Sequence, residues 1–357
     1  MRALLPRLVV PAFLLGQAAC GDPIDRASDV RTMRVLAVQA DHAFAKPGTN
    51  VLLRMLSYDG SPRAVRADGT RRPVHVLWMS ACSNPPGDLY YNCYPALHAS
   101  MAGVTDAGLQ AEQIPKDVGG FGQELVVSIP QDAITSRPQK SEVIHPYGMV
   151  YVFYLACAGE LRMNAAADPL RDSPVGCFEP TTGAPSPIDD FEFGYFPIFV
   201  YDNLDNQNPG LQQVSFQEWV TGAPCISAAS CSSGETCGTE GTCIRKVPQC
   251  LEDDADKCPS YPFVPQVDPA SLEHAVTANL TAQDAPLETL WVSYFATAGS
   301  FDKDLRLVHD PESGWQEGYH GRWRATVAPG TQVRLWAVLR DNRNGVAWAW
   351  QDVFVDE

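Results

Sequence analysis

The stretch "GRWRATVAPGTQVRLWAVLRD", Gly321 to Asp341, decides the fold. Its second half alternates: Val333, Leu335, Ala337 and Leu339 fall on one side of an extended chain, and Arg334, Trp336, Val338 and Arg340 on the other. A period of two marks a β-strand with one face in a core, because successive side chains point to opposite faces. Just ahead of it, "APGT" supplies the Pro and Gly that a turn between strands needs. The second face is mixed rather than polar, so Trp336 is expected to cover a loop or a neighbouring domain.

The same grammar surrounds this strand. "SLEHAVTANL" (271–280), "ETLWVSYFATAGSF" (288–301) and "NGVAWAWQDVFV" (344–355) read as further strands of a C-terminal unit. Near the other end, "MRVLAVQA" (33–40), "NVLLRMLSYD" (50–59) and "VHVLWMSAC" (74–82) are separated by "KPG", "DGSPR" and "DGTRRP", where Pro and Gly enforce turns. "GQELVVSIP" (122–130), "GMVYVFYLAC" (148–157) and "FGYFPIFVYD" (193–202) continue the series. The expected fold class is all-β, with two antiparallel sandwiches. The expected units are an N-terminal sandwich over 34–206, a linker strand with a cysteine-rich module over 207–262, and a C-terminal sandwich over 263–357. The first sandwich exceeds the usual ~100 residues, and its excess lies in loops at 81–121 and 158–192. "NPGLQQVSFQ" (208–217) reads alternatively as the first strand of the C-terminal sandwich, which would make the module an insertion after it.

These segments carry a resemblance. "VLAVQADHAFAKPGTNVLLRML" is similar to the first two strands of bacterial immunoglobulin-like domains. "WVSYFATAGSF" followed by "RWRATVAPGTQVRLWAVLRDNRNG" resembles the strand C to strand G half of polycystic-kidney-disease-like and related immunoglobulin-like modules of secreted bacterial proteins. The resemblance implies that Trp291 opens the central strand, where an indole fills a two-sheet core, and that "DNRNG" forms the last hairpin, with Asn-Gly supplying positive φ.

The chain has 11 cysteines, and ten lie beyond residue 80. The eleventh, Cys20, follows Arg2, Arg7, the apolar run "LVVPAFLLG" and small residues, the layout of a secretory signal peptide over 1–20. "GQAAC" resembles a bacterial lipobox, with Gln17 where that motif usually has an aliphatic residue. The resemblance implies lipidation of Cys20, several acyl chains in the bilayer, and a polar tether over 21–33. Removing Cys20 leaves an even set suited to five bridges in an oxidising compartment. Cys82 and Cys93, and Cys157 and Cys177, each flank a long loop, so local pairing would staple both loops; Cys82 with Cys157 is the rival arrangement. Cys225, Cys231, Cys237 and Cys243 recur every six residues, followed by Cys250 and Cys258. Six cysteines allow 15 pairings, and none is assigned. Zinc ligation needs close pairs such as Cys-x-x-Cys, which this stretch lacks. The core Cys231, Gly234, Cys237 resembles small cysteine-rich modules of bacterial surface lipoproteins.

Charge and motifs narrow the function. The net charge of −16 becomes −18 once Arg2 and Arg7 leave, which disfavours nucleic acid as a partner. No nucleophile elbow, zinc-protease helix, phosphate loop or dinucleotide fingerprint occurs. The seven histidines are scattered without ligand-like spacing, and no cofactor is expected. Two carboxylate clusters stand out: Asp189, Asp190 and Glu192, and the weak Ca²⁺ candidate Asp202 and Asp205, whose loop lacks EF-hand register. Tyr90, Tyr91 and Tyr94 sit in the Cys82–Cys93 loop, where rigid tyrosines either contact proteins or sugars or pack down over the sandwich end. The leading expectation is a non-enzymatic protein of a bacterial envelope, held to the membrane, by expectation the outer one, through its lipid. Its role would be binding, adhesion or architecture, with an envelope protein or polysaccharide as partner. The rival is a secreted β-sandwich hydrolase or carbohydrate-binding accessory, favoured if Asp189, Asp190 or Glu192 gather around a deep cleft.

Overall fold

The computed structural model describes residues 26–116, 118–141, 143–220, 222–252 and 257–357; the stretch expected to be a signal peptide, Cys20 and the start of the expected tether lie outside them. The first half contains β1 (Met33–Ala40), β2 (Phe44–Ala45), β3 (Asn50–Asp59), β4 (His75–Ser83), β5 (Gly119–Phe121), β6 (Glu124–Ser128), β7 (Tyr147–Cys157), β8 (Glu160–Met163), β9 (Val175–Phe178) and β10 (Phe191–Tyr201). Two sheets result, one in the order β1-β3-β6 and the other β2-β10-β7-β4-β5. Their pairs are antiparallel except for the short β2, which runs parallel to β10. This is the immunoglobulin-like order, with β1, β3 and β6 facing a sheet in which β7 lies at the centre between β4 and β10. Trp78 on β4 fills the space between the sheets. Its indole is fully buried, meets Tyr154 edge-on at 5.8 Å between centroids, and donates to the Gly122 carbonyl at 2.8 Å.

β7 shows why the run "GMVYVFYLAC" has no alternation. Every residue from Gly148 to Cys157 is buried, because the outer face of its sheet is covered by a third layer. That layer comprises α1 (Tyr94–Met101), α2 (Asp106–Gln110) and the β8–β9 hairpin, so the long loops are structured. Thr105 caps α2 by accepting from Gly108 N. Bridges Cys82–Cys93 and Cys157–Cys177 tie this layer to the ends of β4 and β7, in the local rather than the rival arrangement.

The second half contains β11 (Leu211–Phe216), β12 (Glu235–Cys237), β13 (Cys243–Pro248), β14 (Tyr261–Val267), β15 (Leu290–Ala296), β16 (Ser300–Phe301), β17 (Leu305–Asp310), β18 (Gly314–Trp315), β19 (Gly321–Arg324), β20 (Gln332–Asp341) and β21 (Val346–Asp356). Its sheets run β11-β14-β19-β16 and β12-β13-β21-β20-β15-β17-β18. Val333, Leu335, Ala337 and Leu339 are fully buried between them. β11 belongs to this sandwich through its pairing with β14, so the cysteine-rich module is inserted after the first strand. The module adds β12 and β13 to the edge at β21, in parallel register from Arg245–Val353 to Pro248–Asp356. Its bridges are Cys225–Cys237, Cys231–Cys243 and Cys250–Cys258.

Several expectations change. The stretch 271–280 is not a strand; it makes one isolated bridge, His274 to Leu287. Trp291 is half-buried and outside the core, whose central indole is the fully buried Trp323 of β19. The last hairpin keeps its expected Asn-Gly turn, with Asn344 supplying the positive φ, at 81°. From Arg26 onward the stretch assigned to a tether is docked: Val30 N donates to Ala296 O at 2.9 Å, Ala296 N to Ser28 O at 2.8 Å, and Ser28 and Val30 are fully buried.

The two sandwiches pack directly on each other. Leu36 and Ala37 of β1, with Leu56 and Tyr58 of β3, meet Phe295, Trp336, Val338 and Val346 of the large C-terminal sheet. Trp336 is buried edge-on against Tyr58 at 5.0 Å. The mixed face of β20 is therefore the domain interface.

Candidate functional site

Where β1 and β10 approach the β20–β21 hairpin, the domain contact opens into a crevice of about 400 Å³. Its walls include Val35 and Leu36 of β1, Tyr195 of β10, and Trp291 and Arg340, which face each other across the β15–β20 ladder. Directly opposed residues of an antiparallel pair lie on the same face, so indole and guanidinium are side by side. Asn342, Asn344 and Asp341 close one end.

The electrostatics centre on Arg340. It donates to Leu36 O at 2.6 Å and to Ser293 Oγ at 3.2 Å, and among the described residues no carboxylate pairs with it. Burial, with nothing to offset it, holds this guanidinium below the usual arginine range. Other desolvated arginines differ: Arg72 meets Asp59 and Asp190, Arg137 meets Asp88, and Arg334 meets Asp352 and Glu240. In each of those three the partners win over burial and push the guanidinium up. Asp341 does not supply the missing charge. Its Oδ1 accepts from Arg343 N and Gly345 N at 2.7 Å each, and its Oδ2 from Asn206 Nδ2 at 3.2 Å.

The carboxylates singled out in the sequence do not converge. Asp190 is buried and neutralised by Arg63 and by Arg72, the latter at 2.6 Å. Asp189 is exposed. Glu192 accepts from Val35 N at 2.6 Å, and burial raises its carboxyl despite that bond. The loop of Asp202 and Asp205 holds an ammonium: Lys46 Nζ meets the Asp205 carboxylate at 2.8 Å and donates to the backbone carbonyls of Leu204 at 2.7 Å and Asp202 at 3.3 Å.

The three tyrosines split. Tyr94 is buried in the layer over β7, Tyr90 stacks on Tyr195 at 4.3 Å and 19°, and Tyr91 is exposed. They are not a flat contact patch. Tyr94 also walls a cavity of about 590 Å³, with Leu155, Phe191, Phe193 and Met163 on one side and Arg171 and Asp172 among its polar lining. Cys225, Cys231 and Cys243 bring their sulfurs together only because two bridges are stacked; each of these thiols is consumed in a disulfide.

Sequence reading placed Arg340 on a mixed face and Trp291 on a central strand but did not join them. The signal available was that face itself, with Arg340 two residues beyond Val338.

No family model matches the chain, and no curated protein matches it in sequence. Solved structures overlap it weakly. A chimeric titin Z1Z2 functionalized with a decorin peptide is 9% identical over 92% of this chain and 98% of that one, with a TM-score of 0.19. Dimeric latent PorU from Porphyromonas gingivalis is 11% identical over 92% of this chain and 24% of that one, with a TM-score of 0.19. Three N-terminal domains of the outer capsid protein Hoc of bacteriophage RB49 are 9% identical over 91% and 70%, with a TM-score of 0.17. The fold class, all-β with two immunoglobulin-like sandwiches, rests on the strand order within each sandwich.

Proposed function

We propose that the chain is a lipid-anchored, non-enzymatic binding protein of a bacterial envelope. The observation that carries the binding role is the crevice between the sandwiches. It combines a half-buried guanidinium without a counter-charge, an indole beside it and amide side chains at its end. Such a site recognises a ligand; it offers no pair of groups poised to give and take a proton. Asp190 and Glu192, the acids nearest in sequence to a hydrolytic pair, are each committed to internal bonds.

The anchor reading rests on the "GQAAC" motif, and the docked segment gives it a geometric consequence. Cys20 and Arg26 are six residues apart, a reach of at most ~20 Å for an extended chain. Arg26 itself donates to Phe301 O at 3.0 Å. A lipid on Cys20 would therefore hold the C-terminal sandwich close to the bilayer instead of letting both domains range freely.

The test is to express the full chain and its Cys20→Ser variant in a Gram-negative host. Membrane partition and intact mass are followed, and purified protein is mixed with isolated envelope polysaccharide and envelope protein. The expected result is acylated, membrane-bound wild type, soluble C20S, and retention on envelope material without release of products. Turnover of that material, or an unacylated wild type, would overturn the proposal.

A further inference from the structure

We propose that the crevice takes the carboxylate of a uronic acid, a sugar ring bearing one carboxyl group, with Arg340 as the charge partner and Trp291 as the stacking wall. This rests on the binding role above and names its ligand class.

The charge requirement comes first. Arg340 uses two of its donors on Leu36 O and Ser293 Oγ, and a guanidinium has five N–H groups. The remaining donors lie at a crevice whose own carboxylate, Asp341, accepts from Arg343 N, Gly345 N and Asn206 Nδ2 and makes no bond to Arg340 among the described residues. A desolvated guanidinium gains most from a carboxylate, which it can meet with two parallel bonds. The surrounding molecule, at a net −16, repels a dense polyanion. One local guanidinium inside a negative field suits a ligand with a single isolated carboxylate, since the wider field is screened beyond about 8 Å.

The body of the ligand follows from the other walls. The Trp291 indole offers a flat apolar surface, and its Nε1–H makes no hydrogen bond among the described residues. Asn342 uses Oδ1 to accept from Thr289 N, and Asn344 uses Nδ2 to donate to Pro197 O, which leaves the Asn342 amide nitrogen as donor and the Asn344 amide oxygen as acceptor. A ring with an apolar face and a rim of hydroxyls satisfies all of these at once, whereas a short aliphatic peptide end meets the guanidinium and the amides but leaves the indole uncovered. The volume of about 400 Å³ falls within the usual ~300–1,000 Å³ of small-ligand sites.

The experiment titrates the mature protein with methyl glucuronide, with methyl glucoside and with acetyl-alanyl-alanine. Calorimetry and the Trp291 indole resonance by NMR report binding. Glucuronide is expected to bind about tenfold more tightly than glucoside, as one charge-assisted pair provides, and Arg340→Gln to abolish that difference. Because Arg340 also holds Leu36, a second variant, Asn342→Ala, alters an exposed side chain and should weaken glucuronide several-fold while the melting temperature falls only slightly, since the bond it gives up, from Thr289 N at 3.3 Å, is exposed. Equal affinity for glucuronide and glucoside, tighter binding of the peptide carboxylate, or full binding by both variants would each overturn the assignment. Retention on envelope material with no response to glucuronide would refute the ligand class and leave the binding role standing. Glucuronide binding without acylation would keep the ligand class and refute the lipid anchor.

Discussion

Glu288 shows how a single buried acid can set the pH response of the fold. Its side chain is fully buried; Oε2 accepts from Arg343 Nη2 at 2.9 Å and Nε at 3.2 Å, and Oε1 from Glu273 N at 3.2 Å. Burial pushes its carboxyl up to about 7; Asp341 adds to that push, and Arg343 opposes it without winning. The folded protein therefore holds this proton more tightly than the unfolded chain does. The resulting stability is full below the ordinary value near 4.5 and is lost as pH rises towards 7, with no further change above. Asp341, also raised by burial, contributes with the same sign from a lower starting point. In melting temperature against pH, the Glu288→Gln curve is expected to fall less than wild type between pH 4.5 and 7; parallel curves would show that Glu288 does not titrate there. Glu288→Ala differs in kind. It leaves the buried Arg343 with only Glu273 as an ionic partner and is expected to cost about 3–5 kcal/mol, read by denaturant unfolding.

Among the elements, the cysteine-rich module depends most on covalent support. Its Ile226 and Leu251 are exposed, and the side chain it commits to the C-terminal core is Val247 of β13. Two bridges, each spanning 12 residues, close its loops, worth roughly 3 kcal/mol apiece in the chain-entropy account. Replacing Cys231 and Cys243 together by Ser should expose residues 222–250 to protease and raise amide exchange in β13, while β20 and β15 stay protected. Protection of β13 equal to wild type would mean that its ladder with β21 holds unaided. The elements also differ in how far the sequence exposes them. β20 was legible because one of its faces is core, so that Val333 to Leu339 alternate. β7 was legible as a strand, but its unbroken apolar run reports two covered faces, and the covering layer, α1 and α2, comes from a stretch read as loop. The segment 271–280 alternates as a strand would, yet Glu273 and His274 spend their polar groups on Arg343 and Ala285 O, which ties it down as an irregular strap. The crevice was illegible for another reason. It needs the register that sets Trp291 opposite Arg340 and a contact from Arg340 to Leu36 across 304 residues of sequence.

At the scale of the whole molecule, the decisive question is whether two sandwiches behave as one body, since a binding crevice made of both exists only if they do. Their contact mixes an apolar centre with a polar frame. Trp336, Tyr58, Leu36 and Phe295 form the centre. Asn208 donates to Ala40 O at 2.7 Å and accepts from Val346 N at 2.9 Å, Asn344 donates to Pro197 O at 2.8 Å, and residues 28–30 run alongside Ala296. Polar contacts that exchange with water contribute only about 1 kcal/mol each. Truncating a buried aromatic removes about 3–5 kcal/mol, so the indole should dominate. Trp336 belongs to neither sandwich core but to the cluster between them, and Trp336→Ala should leave each sandwich folded while freeing one from the other. The expected signature is a larger radius of gyration in small-angle scattering, two thermal transitions in place of one, and loss of glucuronide binding with Arg340 intact. If the variant keeps a single transition and an unchanged radius, the frame of backbone and asparagine bonds is sufficient to fix the domains. The crevice would then owe its shape to the docked segment at 26–30 and to Asn208.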